Sequence, residues 1–229
     1  MIPLKDDIRS RSLPVLTYSI IGINLLVFLY QFIFTDPHQF IRLYGTIPFE
    51  IVHNVDLQPR SPYPVYSNLI FSMFIHGGFL HIVGNMLFLW VFGDNVEDGF
   101  GKIRYLSFYL VAGLAGSFLH IIVDPQSRIP AVGASGAISG VLGAYAVLYP
   151  RARVLALVPI FFFLRIMYLP AFLFIGIWFF FQLIYAGASG TAGGGVAWFA
   201  HIGGFIAGII FGLAIGRRNQ RRQTWQLFS

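Results

Sequence analysis

The chain has 229 residues, of which 57% are hydrophobic and only 10% charged, and its mean hydropathy is +0.74. That composition excludes a soluble globular domain and describes a polytopic membrane protein. The formal charge of +6 suits anionic lipid headgroups rather than nucleic acid, and the absence of cysteine excludes disulfide and thiol chemistry.

At about 1.5 Å rise per residue, a ~30 Å hydrocarbon core requires roughly 20 apolar residues per helix. Uncharged stretches of that order run over Leu13–Thr35, Ser61–Gly93, Tyr105–Val123 and Ile129–Pro150. The run Ile166–Gly216 holds two more, divided by the Gly/Ala/Ser/Thr-rich segment Gly187–Gly195. The expected fold is therefore all-α, a single six-transmembrane-helix bundle over residues 1–229. No A-x-A-like cleavage site follows the first helix, which is read as retained. The segment 36–68 is a long loop with Pro37, Pro48, Pro59, Pro62 and Pro64, of the kind that is usually functional or disordered. Val154–Leu164 is too short to span and contains Pro159. It is read as an interfacial hairpin leading into the fifth helix and ending near Arg165.

Basic residues set the orientation. With both termini cytoplasmic, the inner segments carry Lys5, Arg9, Arg11, Lys102, Arg104, Arg151, Arg153, Arg165, Arg217, Arg218, Arg221 and Arg222, against Arg42, Arg60 and Arg128 outside. Residues 1–14 then form a cytoplasmic N-terminal segment, 36–68 an external loop and 217–229 a basic cytoplasmic tail.

Small residues indicate which helices touch. Gly204, Gly208, Gly212 and Gly216 follow steps of four on the sixth helix, and Gly136, Gly140 and Ala144 do so on the fourth, with Gly133 and Gly143 beside them. Such strips let membrane helices approach backbone to backbone. The same two helices carry Ser135 and His201, a nucleophile and a base. The fourth helix, about Gly133 to Tyr149, is shorter than the membrane core, so its first turn is expected to lie submerged near the outer side, at the depth of His201. Alone, Ser135 reads as a packing residue and His201 as a helix–helix hydrogen bond; an intramembrane histidine is nevertheless a functional hypothesis by default. On the second helix, His81 and Asn85 are four apart and share one face, which suits either a contact with a neighbouring helix or a pair of oxyanion donors. The Ser135 amide at a helix N-terminus is a third donor. His76 is read as structural or as a loop anchor.

His81-x-x-x-Asn85, Gly133-Ala134-Ser135-Gly136 and Ala200-His201-x-Gly203-Gly204, in this order on six helices, resemble a rhomboid intramembrane serine protease of the prokaryotic six-helix type. Phe92-Gly93-Asp94-Asn95-Val96-Glu97-Asp98 after the second helix and Ala152-Arg153-Val154-Leu155 before the fifth extend the resemblance over nearly the whole chain. It implies that Ser135 attacks the scissile carbonyl, that His201 is general base and then general acid, and that His81, Asn85 and the Ser135 amide hold the oxyanion. Gly133, Gly136, Gly140, Gly204 and Gly208 would support the site by packing. No Asp or Glu lies in the fourth, fifth or sixth helix, so packing is expected to hold His201. Two departures stand out. Ser139 occupies a position where some members stack a tyrosine beneath the histidine, and the Trp-Arg pair that some carry in the first loop is missing.

The resemblance implies substrates that are single-span membrane proteins, cut after a small residue near the outer face, in a helix easily unwound by Gly, Pro or polar residues. Membrane lipids are the other partner; no nucleic acid, metal or cofactor is expected. The fifth helix, with Phe172, Phe174, Trp178, Phe179, Phe180 and Phe181 and no glycine strip, is either a packed, lipid-facing helix or a loosely held gate. The lack of an extra domain or presequence points to a minimal prokaryotic enzyme of the cell membrane. A silent rhomboid-like chaperone normally lacks the serine or the histidine. A transporter would show inverted repeats, of which none is visible.

Overall fold

A computed structural model describes residues 1–160, 162–189 and 197–226. The bundle consists of α1 (Val15–Phe34), α5 (Phe79–Phe100), α6 (Lys102–Val123), α7 (Ser135–Leu148), α8 (Ala171–Ser189) and α9 (Trp198–Gln226), with α2 (Pro37–Tyr44), α3 (Pro48–His53) and α4 (Asn68–Phe71) between α1 and α5. Five of the six bundle helices are long and apolar enough to cross a membrane. The sixth, α7, has 14 residues and spans about 21 Å. Every residue from Gly136 to Tyr145 is buried. A helix that is covered all round needs no lipid-facing length, which is why the shortest helix sits at the centre.

Packing around α7 rests on missing side chains. A Cβ on Gly204 would fall 1.9 Å from the Gly136 carbonyl oxygen, and one on Gly208 2.0 Å from that of Gly140. The α7–α9 contact anticipated from the small-residue strips is therefore backbone against backbone. A second close approach was not anticipated: Gly116 and Gly203 bring α6 against α9 nearly as closely, with an added Cβ 2.5 Å from the Ala200 carbonyl oxygen and 2.7 Å from that of Ala115.

The long second stretch is not one helix. Ser61–Gly78 forms short turns at Val65–Ser67, Asn68–Phe71 and Ser72–Phe74, and α5 starts only at Phe79. His76 precedes the helix, fully buried, and its carbonyl accepts from Gln31 Nε2 at 3.0 Å. The loop 36–68 is ordered by specific bonds. Asp36 caps α2 through Gln39 N at 2.7 Å, Thr46 pairs with Ala131, and Arg42 Nη1 donates to the Arg128 carbonyl at 2.7 Å. Those contacts tie it to the segment just before α7, in place of the absent Trp-Arg pair.

At the opposite end lies a feature the helical reading lacked, a three-stranded antiparallel sheet in the order β1 (Ile2–Asp6), β2 (Arg153–Ile160), β3 (Phe163–Pro170). The expected hairpin exists, but it continues to Pro170 and pairs with the N-terminal segment, so α8 starts at Ala171 rather than Ile166. Asp94 and Asp98, expected after the second helix, lie in the last turns of α5. Between them Glu97 accepts from Leu16 N at 3.1 Å, Thr17 N at 2.8 Å and Thr17 Oγ1 at 2.8 Å. It caps α1 from a neighbouring helix, where Pro14 offers no side-chain cap. Asp6 accepts from Tyr145 Oη at 2.5 Å and Asn95 Nδ2 at 2.8 Å, docking β1 onto α7 and α5. Helix α9 continues to Gln226, taking 217–226 of the basic tail into the same helix. Of the small-residue divider, Gly190–Gly195 lies outside the described residues.

Two outcomes follow. Gly208→Val should lower the unfolding temperature in detergent by the equivalent of about 2 kcal/mol or more. Gly22→Ala, with no described atom within 4 Å of its added Cβ, should stay within about 0.5 kcal/mol of wild type. Burial, reinforced by Asp94 and Asp7 and opposed by the Tyr145 hydrogen bond, pushes the Asp6 carboxyl up from 3.8 to about 6. The folded chain thus holds that proton more tightly than the unfolded one, and the stability it contributes falls as pH rises from 3.8 to about 6. Melting temperatures across that window should decline in wild type and flatten in Asp6→Asn.

Candidate functional site

The end of the bundle nearest α2 and α3 carries the N-termini of α5, α7 and α9, and each delivers a polar side chain to one cavity. Ser135 is the first residue of α7. It follows Gly133, whose φ of +125° is open to glycine and rarely to other residues. A Cβ there would also meet the His81 ring at 2.8 Å, so Gly133 provides both the turn and the room. In the first turn of α9, His201 Nε2 lies 2.8 Å from Ser135 Oγ. The two residues precede Gly136 and Gly204, whose backbones touch, so rigid helix contact sets their separation.

His81 and Asn85 stand one turn apart on α5, as their spacing implies, and line the same cavity of about 850 Å³ with Ser135 and His201. Gly77 N donates to His81 Nδ1 at 3.3 Å. A ring nitrogen that accepts must be bare, which leaves the proton on Nε2, the atom facing Gly133. Asn85 is 8% exposed, and its Nδ2 is buried without a partner among the described residues. A buried donor in that state costs about 1–3 kcal/mol unless something bound satisfies it. The His81 N–H thus lies near the Ser135 hydroxyl, and Asn85 lines the same cavity. The cavity accordingly brings together a hydroxyl paired with an imidazole, a histidine N–H and an asparagine amide.

Two features of the site were not read from the sequence. His201 Nδ1 lies 2.7 Å from Gln182 Oε1, so an amide from α8 holds the histidine that packing alone was expected to hold. The signal was present: Gln182 is the single amide, with no charged side chain, in the α8 sequence AFLFIGIWFFFQLIYAGAS. Intramembrane polar groups of that kind face protein or cavity. Aromatic contact with His201 comes from Trp198, perpendicular to it at 5.9 Å between centroids, and Trp178, tilted at 6.1 Å. Ser139, where some relatives place a tyrosine, instead donates to the Ser135 carbonyl at 2.6 Å.

Comparison with known proteins agrees in kind. The family profile described as "Rhomboid domain" matches residues 64–218. The chain is 30% identical over 219 residues to Rhomboid protein 1, mitochondrial, of Saccharomyces cerevisiae, covering 90% of this chain and 56% of that protein. It is similar to Rhomboid protease GluP of Bacillus subtilis, 42% identical over 76 residues, which is 33% of this chain and 14% of that one. It is also similar to the Putative rhomboid protease YdcA of the same species, 29% identical over 137 residues, 50% of this chain and 68% of its relative. The chain thus spans little more than half of the yeast protein and far less of GluP.

Proposed function

The chain belongs to the rhomboid family of intramembrane proteases, and on that footing we propose that it is a serine endopeptidase working through a Ser135–His201 dyad. The observation that carries this reading is the 2.8 Å contact between Ser135 Oγ and His201 Nε2, in a cavity also lined by Asn85, whose Nδ2 has no partner among the described residues. Ser135 Oγ attacks the scissile carbonyl while His201 Nε2 takes its proton. The tetrahedral oxyanion accepts hydrogen bonds from His81 Nε2, Asn85 Nδ2 and the Ser135 backbone N–H, donors fixed before the charge develops. Collapse of the intermediate moves the proton from His201 to the leaving amine. Water, admitted by the cavity, then repeats the sequence on the acyl-enzyme.

The substrates we assign are single-span membrane proteins whose helix unwinds readily near the outer face, since a helical segment hides its carbonyls in hydrogen bonds. The side from which they reach Ser135 is α8. Its Phe174 and Ile175 are buried near the sheet, whereas Phe172, Phe180 and Phe181 are exposed, and the Phe179–Phe205 stack is among its few contacts with α9. The basic-residue asymmetry supports both termini facing the cytoplasm, and we assign the chain to the cell membrane as a multi-pass protein.

Reconstituted in liposomes with a single-span reporter, wild type should cleave, and Ser135→Ala and His201→Ala should each lose on the order of 10³-fold or more in rate. Asn85→Ala should lose on the order of 10²-fold in kcat with little change in KM. A wild type that binds the reporter without cutting it would favour a silent membrane-protein chaperone instead.

A further inference from the structure

The amide of Gln182 has only one orientation compatible with its neighbours. Its Nε2 donates to the Trp178 carbonyl at 3.2 Å, one turn back on α8, and its Oε1 points at His201 Nδ1 at 2.7 Å. Rotating the amide by half a turn would set its oxygen against the Trp178 carbonyl, two acceptors face to face. An oxygen can only accept, so Nδ1 must carry the proton and Nε2 must be bare. A bare Nε2 is the form that can take the proton of Ser135. The other neutral tautomer would turn an N–H toward the serine and could not act as its base.

Resting on the Ser135–His201 reading, we infer that Gln182 is the positioning residue of the general base, the third member of the site in amide form. It fixes the tautomer and ring plane of His201 and accepts from Nδ1–H when the imidazolium forms. Gln182 is 6% exposed, so its bond competes little with water. An amide also suits this place better than a carboxylate. It supplies the same acceptor without an idle charge in the membrane, where an unpaired carboxylate is expensive. Because Gln182 rides on α8, the base is fully oriented only while α8 is docked against α9. His201 is faced by His81 from α5, His120 from α6 and Ser135 from α7, and no acidic side chain occurs in α7, α8 or α9. Among the described residues, Gln182 is thus the one acceptor assigned to Nδ1.

The test measures kcat, KM and their pH dependence for the full chain in liposomes with the single-span reporter. Gln182→Met keeps length and bulk but removes the acceptor; it should lower kcat by roughly 10- to 100-fold, as loss of an orienting partner does elsewhere, with KM within about twofold. Gln182→Glu restores an acceptor and adds a charge beside the imidazolium. His201 works only when neutral, so the acid limb of the rate profile should move about one unit or more to higher pH, with activity recovering above it. A Gln182→Met enzyme with wild-type kcat, or a Gln182→Glu profile superimposable on wild type, overturns the assignment. Should the Met variant not fold, the Glu profile decides alone. Failure of the underlying reading looks different, because Ser135→Ala would then still cleave.

Discussion

The structure depends on one contact, the meeting of α7 and α9 without side chains between them at Gly136–Gly204 and Gly140–Gly208. Within lipid no hydrophobic force drives helices together, so association relies on close van der Waals packing over many atoms. That packing needs glycine, because any Cβ at Gly204 or Gly208 would overlap a carbonyl of the opposite helix. The contact has a chemical consequence. Ser135 stands one residue before Gly136 and His201 three before Gly204, so the hydroxyl and the imidazole inherit a separation fixed by two rigid backbones. Loops, which usually deliver such groups, are not needed to hold them.

Two sets of polar groups do different work in the bundle. Near the sheet, Glu97 and Asp6 are each met by several donors, and they fasten the N-terminal segment, α1 and α5 into one unit. Near the cavity, Asn85 Nδ2 has no partner among the described residues, while Gln182 donates to the Trp178 carbonyl and accepts from His201, whose Nε2 accepts from Ser135. The first set stabilises the fold, and the second belongs to residues that line the cavity.

Much of this was legible in the residues because the membrane penalises polarity and bulk so strongly. Ser135, His81, Asn85 and His201 stood out as expensive side chains in apolar runs, and steps of four in the glycines identified the helices that touch. The break before Phe79 was hidden because Ser61–Gly78 is as uncharged as the helix it precedes, so hydropathy could not separate turn from span. Strand β1 was hidden for another reason: its partner β2 lies some 150 residues away in the chain, and pairing at that distance leaves no local periodicity. Asp94 and Asp98 read as lying past the helix because charge marks the end of an apolar span, although acidic residues also serve at helix ends that hold another chain segment. Gln182 was less legible because an uncharged amide is a weaker signal in an apolar helix than the carboxylate that commonly orients a histidine.

The most direct test is covalent. Purified chain treated with a fluorophosphonate, which phosphonylates only an activated serine, would be digested and the modified residue located by mass spectrometry. The account predicts a single adduct on Ser135, formed by wild type and lost in His201→Ala and in Gly208→Val, where the two helices are wedged apart. An adduct on a different serine, or Ser135 labelled equally fast without His201, would contradict it.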